Sequence, residues 1–196
     1  MSKLYFYYSV MDGGKSAHLI MQVHKLRNKG YNVLALKPKR DTRDYGVIRS
    51  RALSTEVEAM LIDGNTDVFE LVKNISPDYV FVDEVNFLSE QNVEDLAMIV
   101  DELDIPVFGY GLLTDYKGQL FEGSKRMMEL ADSRREIQSP CDHCKRKATM
   151  HLHKVNGEYV FEGESIKVGD KGDYESVCRR CYMKAKKRKE KNRHKK

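Results

Sequence analysis

The sequence predicts an α/β fold, a parallel sheet covered on both faces by helices and followed by a small C-terminal metal-binding domain. Three observations carry this expectation. Strand-like and helix-like segments alternate up to about residue 138 of the 196, as in sheets built from strand-helix-strand units. The strand-like segments are continuous apolar runs, which suit strands buried on both faces. After Ser139-Pro140 this pattern gives way to two Cys-x-x-Cys pairs with short β-like stretches between them.

Leu4 to Val10 is aromatic and β-branched and runs into a glycine turn, so it reads as a buried first strand. Ser16 to Lys29 carries Leu19, Ile20, Val23 and Leu26 at helical spacing, and Gly30 supplies the stop. Asn32 to Leu36 and Asp78 to Val82 read as further strands, with a short helix over Asp67 to Asn74. Ser89 opens a helix whose stripe is Val93, Leu96, Ala97, Val100 and Leu103. Pro106 to Tyr110 is a strand and Ser124 to Asp132 a helix. Arg40 to Gly64 is charged and lacks periodicity, so a partly mobile loop carrying functional residues is expected there. Residues 1–138 are thus expected to form one domain and 139–183 a second, with β-like stretches at Thr149 to His153 and Glu158 to Phe161.

Composition narrows the function classes. With 41% hydrophobic and 33% charged residues, the chain has the make-up of a globular protein, and no run approaches the ~20 apolar residues of a membrane span. Met1 to Tyr8 lacks the pattern of a secretory signal, so a cytoplasmic location is expected. Met183 to Lys196 holds nine Lys or Arg against one Glu, a net of +8, which leaves −4 for the remainder of a chain whose total is +4. Such a basic block, residues 184–196, is expected to be a disordered, solvated tail.

The sharpest motif follows the first strand. Ser9-Val10-Met11-Asp12-Gly13-Gly14-Lys15-Ser16 matches the phosphate-binding loop G-x-x-x-x-G-K-[ST], with Ser9 in place of the first glycine. Small residues let backbone N–H groups converge on phosphate oxygens at a helix N-terminus. Lys15 reaches the β/γ-phosphates and Ser16 ligates Mg²⁺. Asp83-Glu84 closes the apolar strand Tyr79 to Val82, where P-loop NTPases hold Mg²⁺. Asp83 is therefore the candidate metal-side carboxylate and Glu84 the candidate general base. Read without the upstream loop, both would be solvated acids after a core strand; the pairing favours a RecA-like P-loop domain.

The acceptor is indicated by resemblance. The loop at Ser9 to Ser16, Asp41-Thr42-Arg43, Asp83-Glu84-Val85-Asn86-Phe87, Gly111-Leu112-Leu113-Thr114-Asp115-Tyr116, Phe121-Glu122-Gly123-Ser124 and Tyr174-Glu175-Ser176-Val177-Cys178-Arg179 stand in this order. Together they resemble the type II thymidine kinases from residue 4 to about 183. The resemblance implies transfer of the ATP γ-phosphate to the 5′-hydroxyl of thymidine and leaves the acceptance of deoxyuridine open. Glu84 would deprotonate that hydroxyl, while Lys15, Arg43 and Mg²⁺ stabilise the transferring phosphoryl group; Asp41, Thr42 and Asn86 would complete the nucleotide site. Phe87, Leu112, Tyr116 and Phe121 would wall the base. Ser165, Ile166, Lys167, Val168 and Gly169 would give it backbone contacts, with Tyr174 beside them. A homotetramer and inhibition by dTTP are also implied. Asn86 stands where the family usually has glutamine, and Leu113 where a polar residue is frequent.

Cys141, Cys144, Cys178 and Cys181 are four soft ligands in two pairs, suited to a closed tetrahedral Zn²⁺. His143, inside the first pair, is a competing ligand. A different function class starts from this module and the basic tail: an ATP-driven nucleic-acid-binding protein with a zinc ribbon. The block from Gly111 to Ser124 argues against that reading, since such a protein has no use for it.

Overall fold

The computed structural model describes residues 1–40, 45–163 and 174–193. Its centre is a six-stranded sheet in which every pairing is parallel. In chain order its strands are β1 (Leu4–Ser9), β2 (Val33–Pro38), β5 (Met60–Ile62), β6 (Tyr79–Val82), β7 (Val107–Leu112) and β8 (Ser133–Glu136). They lie side by side as β5-β2-β6-β7-β1-β8. The intervening β3 (Val47–Arg49) and β4 (Glu56–Glu58) form a separate antiparallel hairpin.

Alternate residues along these strands feed two cores. Leu4 and Phe6, Leu34 and Leu36, Val80 and Val82 face one side, where α2 (Val68–Ile75), α3 (Glu90–Leu103) and α4 (Glu122–Leu130) cover them with Val72, Val93, Leu96, Ile99 and Met127. Val33, Ala35, Phe81 and Tyr110 face the other side, against Leu19, Ile20 and Val23 of α1 (Lys15–Arg27). Helix starts are fixed locally: the Asp67 side chain accepts from Glu70 N–H before α2, and Ser89 from Asn92 N–H before α3.

The expected α/β class stands, with local corrections. Within the segment expected to be a partly mobile loop, residues 45–62 form the β3/β4 hairpin, which buries Ile48 and Val57 against α1, and the edge strand β5. Three-residue strands are too short to show periodicity in sequence. The helix expected at Ser124 begins at Glu122. β8 was not anticipated because Ser-Arg-Arg-Glu has no apolar pattern, which an edge strand does not need.

The second unit is a three-stranded antiparallel sheet in the order β10-β9-β11, with β9 (Met150–Val155), β10 (Glu158–Val160) and β11 (Tyr174–Val177). The tail expected to be disordered is helical instead as far as the described residues reach: α5 spans Arg179–Arg193. Its first turns are anchored. Tyr182 is buried and donates from its hydroxyl to the carbonyl of Tyr116 at 3.0 Å, and Ala185 packs on the small core of Leu152 and Val177. Lysine and arginine are good helix formers, so a docked first turn propagates into them.

One glycine decides how closely α4 approaches the sheet edge that carries Asp83 and Glu84. A Cβ on Gly123 would stand 2.1 Å from the carbonyl oxygen of Val85 and 2.9 Å from that of Leu88. Backbone cannot move aside as a side-chain tip can. Gly123→Ala should therefore cost about 3 kcal/mol in urea unfolding. Unfolding at the parental urea midpoint would show that the turn after Glu84 yields freely.

Candidate active site

In a parallel sheet all strands end at one edge, and ligands bind there. The loop after β1, the acidic pair after β6 and the Leu112 segment ending β7 all lie at that edge. Gly14 adopts φ +83° as the residue preceding α1, a conformation that side chains resist, and so aims the first turn of the helix at the loop. Lys15 is buried, with Nζ donating to the Val10 carbonyl at 3.1 Å and to Ser9 Oγ at 3.3 Å. The lysine is thus curled over its own loop.

Ser16 Oγ donates to Asp83 Oδ2 at 3.2 Å, which joins the two candidate Mg²⁺ ligands across the sheet edge. Asp83 is only 4% exposed. Burial first, then the Glu84 charge, pushes its carboxyl up to about 7, opposed by Lys15, the Glu84 N–H and Lys37. A carboxylate held this way favours a cation beside it. Glu84 follows in a left-handed conformation, φ 51°, and its N–H donates to Asp83 Oδ1 at 3.0 Å. That turn leads into a single 3-10 turn, Val85–Phe87.

Asn86 is buried and faces β7. Its Oδ1 accepts from the Leu112 N–H at 2.9 Å, while its Nδ2 is buried with no hydrogen-bond partner among the described residues. The Leu112 carbonyl is held in turn by Ser124 Oγ at 2.5 Å. Both polar groups of the Leu112 backbone are thus fixed, at a residue that the resemblance assigns to the nucleoside.

The proposed base-binding aromatics fall into two clusters. Phe87 and Phe121 meet edge to face, 5.9 Å between centroids, with Arg40 5.8 Å above the Phe87 ring. Tyr116 and Tyr174 are joined through His153, whose ring stacks on Tyr174 at 4.3 Å and lies 5.1 Å from Tyr116. Asp115 accepts from the N–H groups of Lys117 and Gln119, each at 2.9 Å, and so shapes the turn beyond Tyr116. Asp41, Thr42 and Arg43, and Ser165, Ile166, Lys167, Val168 and Gly169, lie outside the described residues.

Cys141, Cys144, Cys178 and Cys181 bring their sulfurs within 4.8 Å of one another. Cys144 Sγ is 3.7 Å from Cys178 Sγ and 3.8 Å from Cys181 Sγ. A tetrahedral zinc about 2.3 Å from each thiolate requires sulfurs about 3.8 Å apart, so the cluster fits that ion. The Cys181 N–H holds the Cys178 thiol down to about 7, while burial and the hydrogen bonds within the cluster push Cys181 up to about 12. His143 points elsewhere, its Nε2 lying 2.8 Å from Glu175 Oε2.

Lys37, His151 and Ser176 are buried at or near this site and escaped the sequence reading. Lys37 is 2% exposed, lies close enough to Asp83 to lower its pKa, and donates to the Val47 carbonyl. A lone lysine inside the apolar strand Val-Leu-Ala-Leu-Lys-Pro was the available signal. His151 and Ser176 had none, because strand pairing alone brings them to the loop after β1.

The family model described as thymidine kinase matches residues 2–182. A thymidine kinase of Streptococcus agalactiae serotype Ia is 40% identical over 186 residues, covering 93% of this chain and 98% of the relative. A thymidine kinase of Streptococcus gordonii is 40% identical over 187 residues, covering 94% and 97%. One of Streptococcus pyogenes serotype M1 is 40% identical over 186 residues, covering 93% and 98%.

Proposed function

The chain belongs to the thymidine kinase family and phosphorylates thymidine; we propose that ATP is the donor and that Glu84 is the base that takes the proton from the 5′-hydroxyl. The observation that carries this reading is the meeting of the loop after β1 with the acidic end of β6, Ser16 Oγ lying 3.2 Å from Asp83 Oδ2. Phosphoryl transfer asks a protein chiefly to hold two oxygens in line and to neutralise charge. Lys15 and the N–H groups at the start of α1 supply positive potential on the donor side. Ser16 and Asp83 would hold Mg²⁺, which when bound neutralises the β- and γ-phosphate oxygens. Glu84, one residue on, is left to accept the hydroxyl proton.

Arg43 joins this reading as a second phosphoryl-stabilising cation, with Asp41 and Thr42 beside it. Phe87, Leu112, Tyr116, Phe121 and Tyr174 wall the nucleoside, and Ser165 to Gly169 read its edge through backbone groups. Zinc held by the four cysteines would be structural, since four thiolates fill the coordination of a tetrahedral ion. We read residues 1–138 as the kinase domain and 139–183 as the zinc domain, assembled as a cytoplasmic homotetramer subject to dTTP inhibition. α5 is basic along the exposed Lys184, Lys187, Arg188 and Lys191, which supports weak contact with nucleic acid as an accessory property. The family match through residue 182 favours the kinase over a nucleic-acid-stimulated NTPase. No helix among the described residues is long and apolar enough to cross a membrane.

Incubation with γ-labelled ATP, Mg²⁺ and each of the four deoxynucleosides tests the reading directly. Labelled thymidine monophosphate is expected, with no labelled product from deoxyadenosine or deoxyguanosine. Release of labelled phosphate with no nucleotide product would overturn it.

A further inference from the structure

Met11 lies in the middle of the phosphate loop, and both polar groups of its backbone are held from the zinc domain. Its N–H donates to His151 Nε2 at 2.9 Å, and its carbonyl accepts from Ser176 Oγ at 2.9 Å. His151 on β9 and Ser176 on β11 are direct partners in the register of that sheet. They are 2% and 8% exposed. One cross-strand pair therefore grips one peptide of a loop that lies 140 residues earlier in the chain for His151 and 165 for Ser176.

Ser176 is itself tied to the cysteine cluster. Its N–H donates to Asp142 Oδ2 at 2.6 Å, and its carbonyl accepts from the Asp142 N–H at 2.9 Å. Asp142 sits between Cys141 and Cys144. A continuous series of short contacts thus runs from the metal ligands through Asp142 and Ser176 to Met11. For Met11 N–H to be accepted, His151 Nε2 must keep its lone pair. Burial, then the Lys15 ammonium, holds the imidazole down to about 4, although the Thr114 and Asp115 carbonyls favour its charged form. The ring is thus a neutral acceptor at ordinary pH.

An anion-binding loop is effective when its N–H groups are already aimed before the anion arrives. The Met11 N–H is spent on His151 and so is not one of those donors. It fixes the backbone from which the neighbouring donors project. We propose that His151, acting with Ser176, is a positioning residue for the nucleotide: the pair clasps the Met11 peptide, preforms the phosphate loop, and makes its shape depend on the zinc domain. The proposal rests on residues 9–16 being the ATP cradle.

The test compares His151→Leu, which keeps the buried volume and loses the acceptor, with His151→Gln, which keeps an acceptor in reach. Affinities for a non-hydrolysable ATP analogue and for thymidine are measured by calorimetry on the zinc-loaded full chain. The leucine variant is expected to bind the analogue about tenfold more weakly, with thymidine affinity within about twofold and glutamine restoring most of the loss. Leucine with parental nucleotide affinity, or glutamine no better than leucine, would make His151 a packing residue and overturn the proposal. Should the leucine variant not fold, Ser176→Ala takes its place: a severalfold loss for the analogue alone is expected, and parental affinity would overturn the proposal. Failure of the parent chain to bind the analogue would remove the cradle reading and this inference together. Parental binding with indifferent variants would remove the inference only.

Discussion

Glu84→Gln is expected to lower kcat for thymidine phosphorylation by about a thousandfold while leaving ATP affinity within about twofold. The substitution is close to isosteric; it removes the ability to accept a proton and, with the charge, one of the two causes that raise Asp83, which favours the ionised Asp83 that a cation needs. The backbone at this position is set by its neighbours, since the Glu84 N–H donates to Asp83 and the following turn is closed by the Leu88 N–H donating to the Val85 carbonyl. The nucleotide side is therefore undisturbed, and Lys15, Ser16 and Asp83 keep their places. Asp83→Asn provides the contrast: it should weaken the Mg²⁺ dependence of ATP binding, an effect that Glu84→Gln should not show. Single-turnover kinetics with saturating ATP would separate the two. Turnover by the glutamine variant within tenfold of the parent would remove Glu84 from the role of base.

Stripping the metal is expected to produce the largest loss of all. The unit that carries the cysteines has few buried hydrophobic residues of its own: Cys141, Leu152, Val177, Cys178 and Tyr182 form its core, and two of the five belong to the four-cysteine cluster. Structural zinc contributes on the order of 10 kcal/mol to the folding of such modules. Cys178→Ser, or exhaustive chelation, should therefore melt β9 to β11 and the start of α5. Thymidine binding should be lost with it, because Tyr174 and its stacking partner His153 belong to those strands and the Tyr182 hydroxyl secures the Tyr116 carbonyl. The parallel sheet, whose two cores lie apart from this unit, should keep most of its helical signal in circular dichroism. A zinc-free chain with the parental melting temperature and thymidine affinity would sink the structural assignment.

The parts of this molecule that could be read in its sequence are those whose signals are local. The loop from Ser9 to Ser16 stands out by residue type and spacing, and so do the paired cysteines, whose sulfurs the fold brings together. Long helices such as α3 declare themselves by periodicity, with Ser89 in place as the cap. What stayed hidden was set at a distance. β8 is a strand because β1 offers it an edge, not because Ser-Arg-Arg-Glu favours extension. α5 continues through a lysine-rich stretch because Tyr182 and Ala185 dock its beginning. Residues 45–62 looked irregular because their strands last three residues each. His151 illustrates the limit most sharply: nothing about a histidine in Met-His-Leu-His-Lys-Val announces a partner in the first turn of the chain. The hydrogen bond from the Leu112 N–H to Asn86 Oδ1 at the end of β7 was hidden for the same reason.

The backbone of Glu84 has a further meaning. A glutamate at φ 51° occupies the left-handed region, which costs about 1 kcal/mol for a residue with a Cβ and almost nothing for glycine. The carboxylate assigned to proton removal thus sits where the fold alone would prefer a different amino acid. Selection for turnover and selection for thermal robustness pull in opposite directions at this single position. A lineage of such chains released from the need to phosphorylate nucleosides, yet still required to fold, would be expected to shed this carboxylate early and grow firmer for the loss.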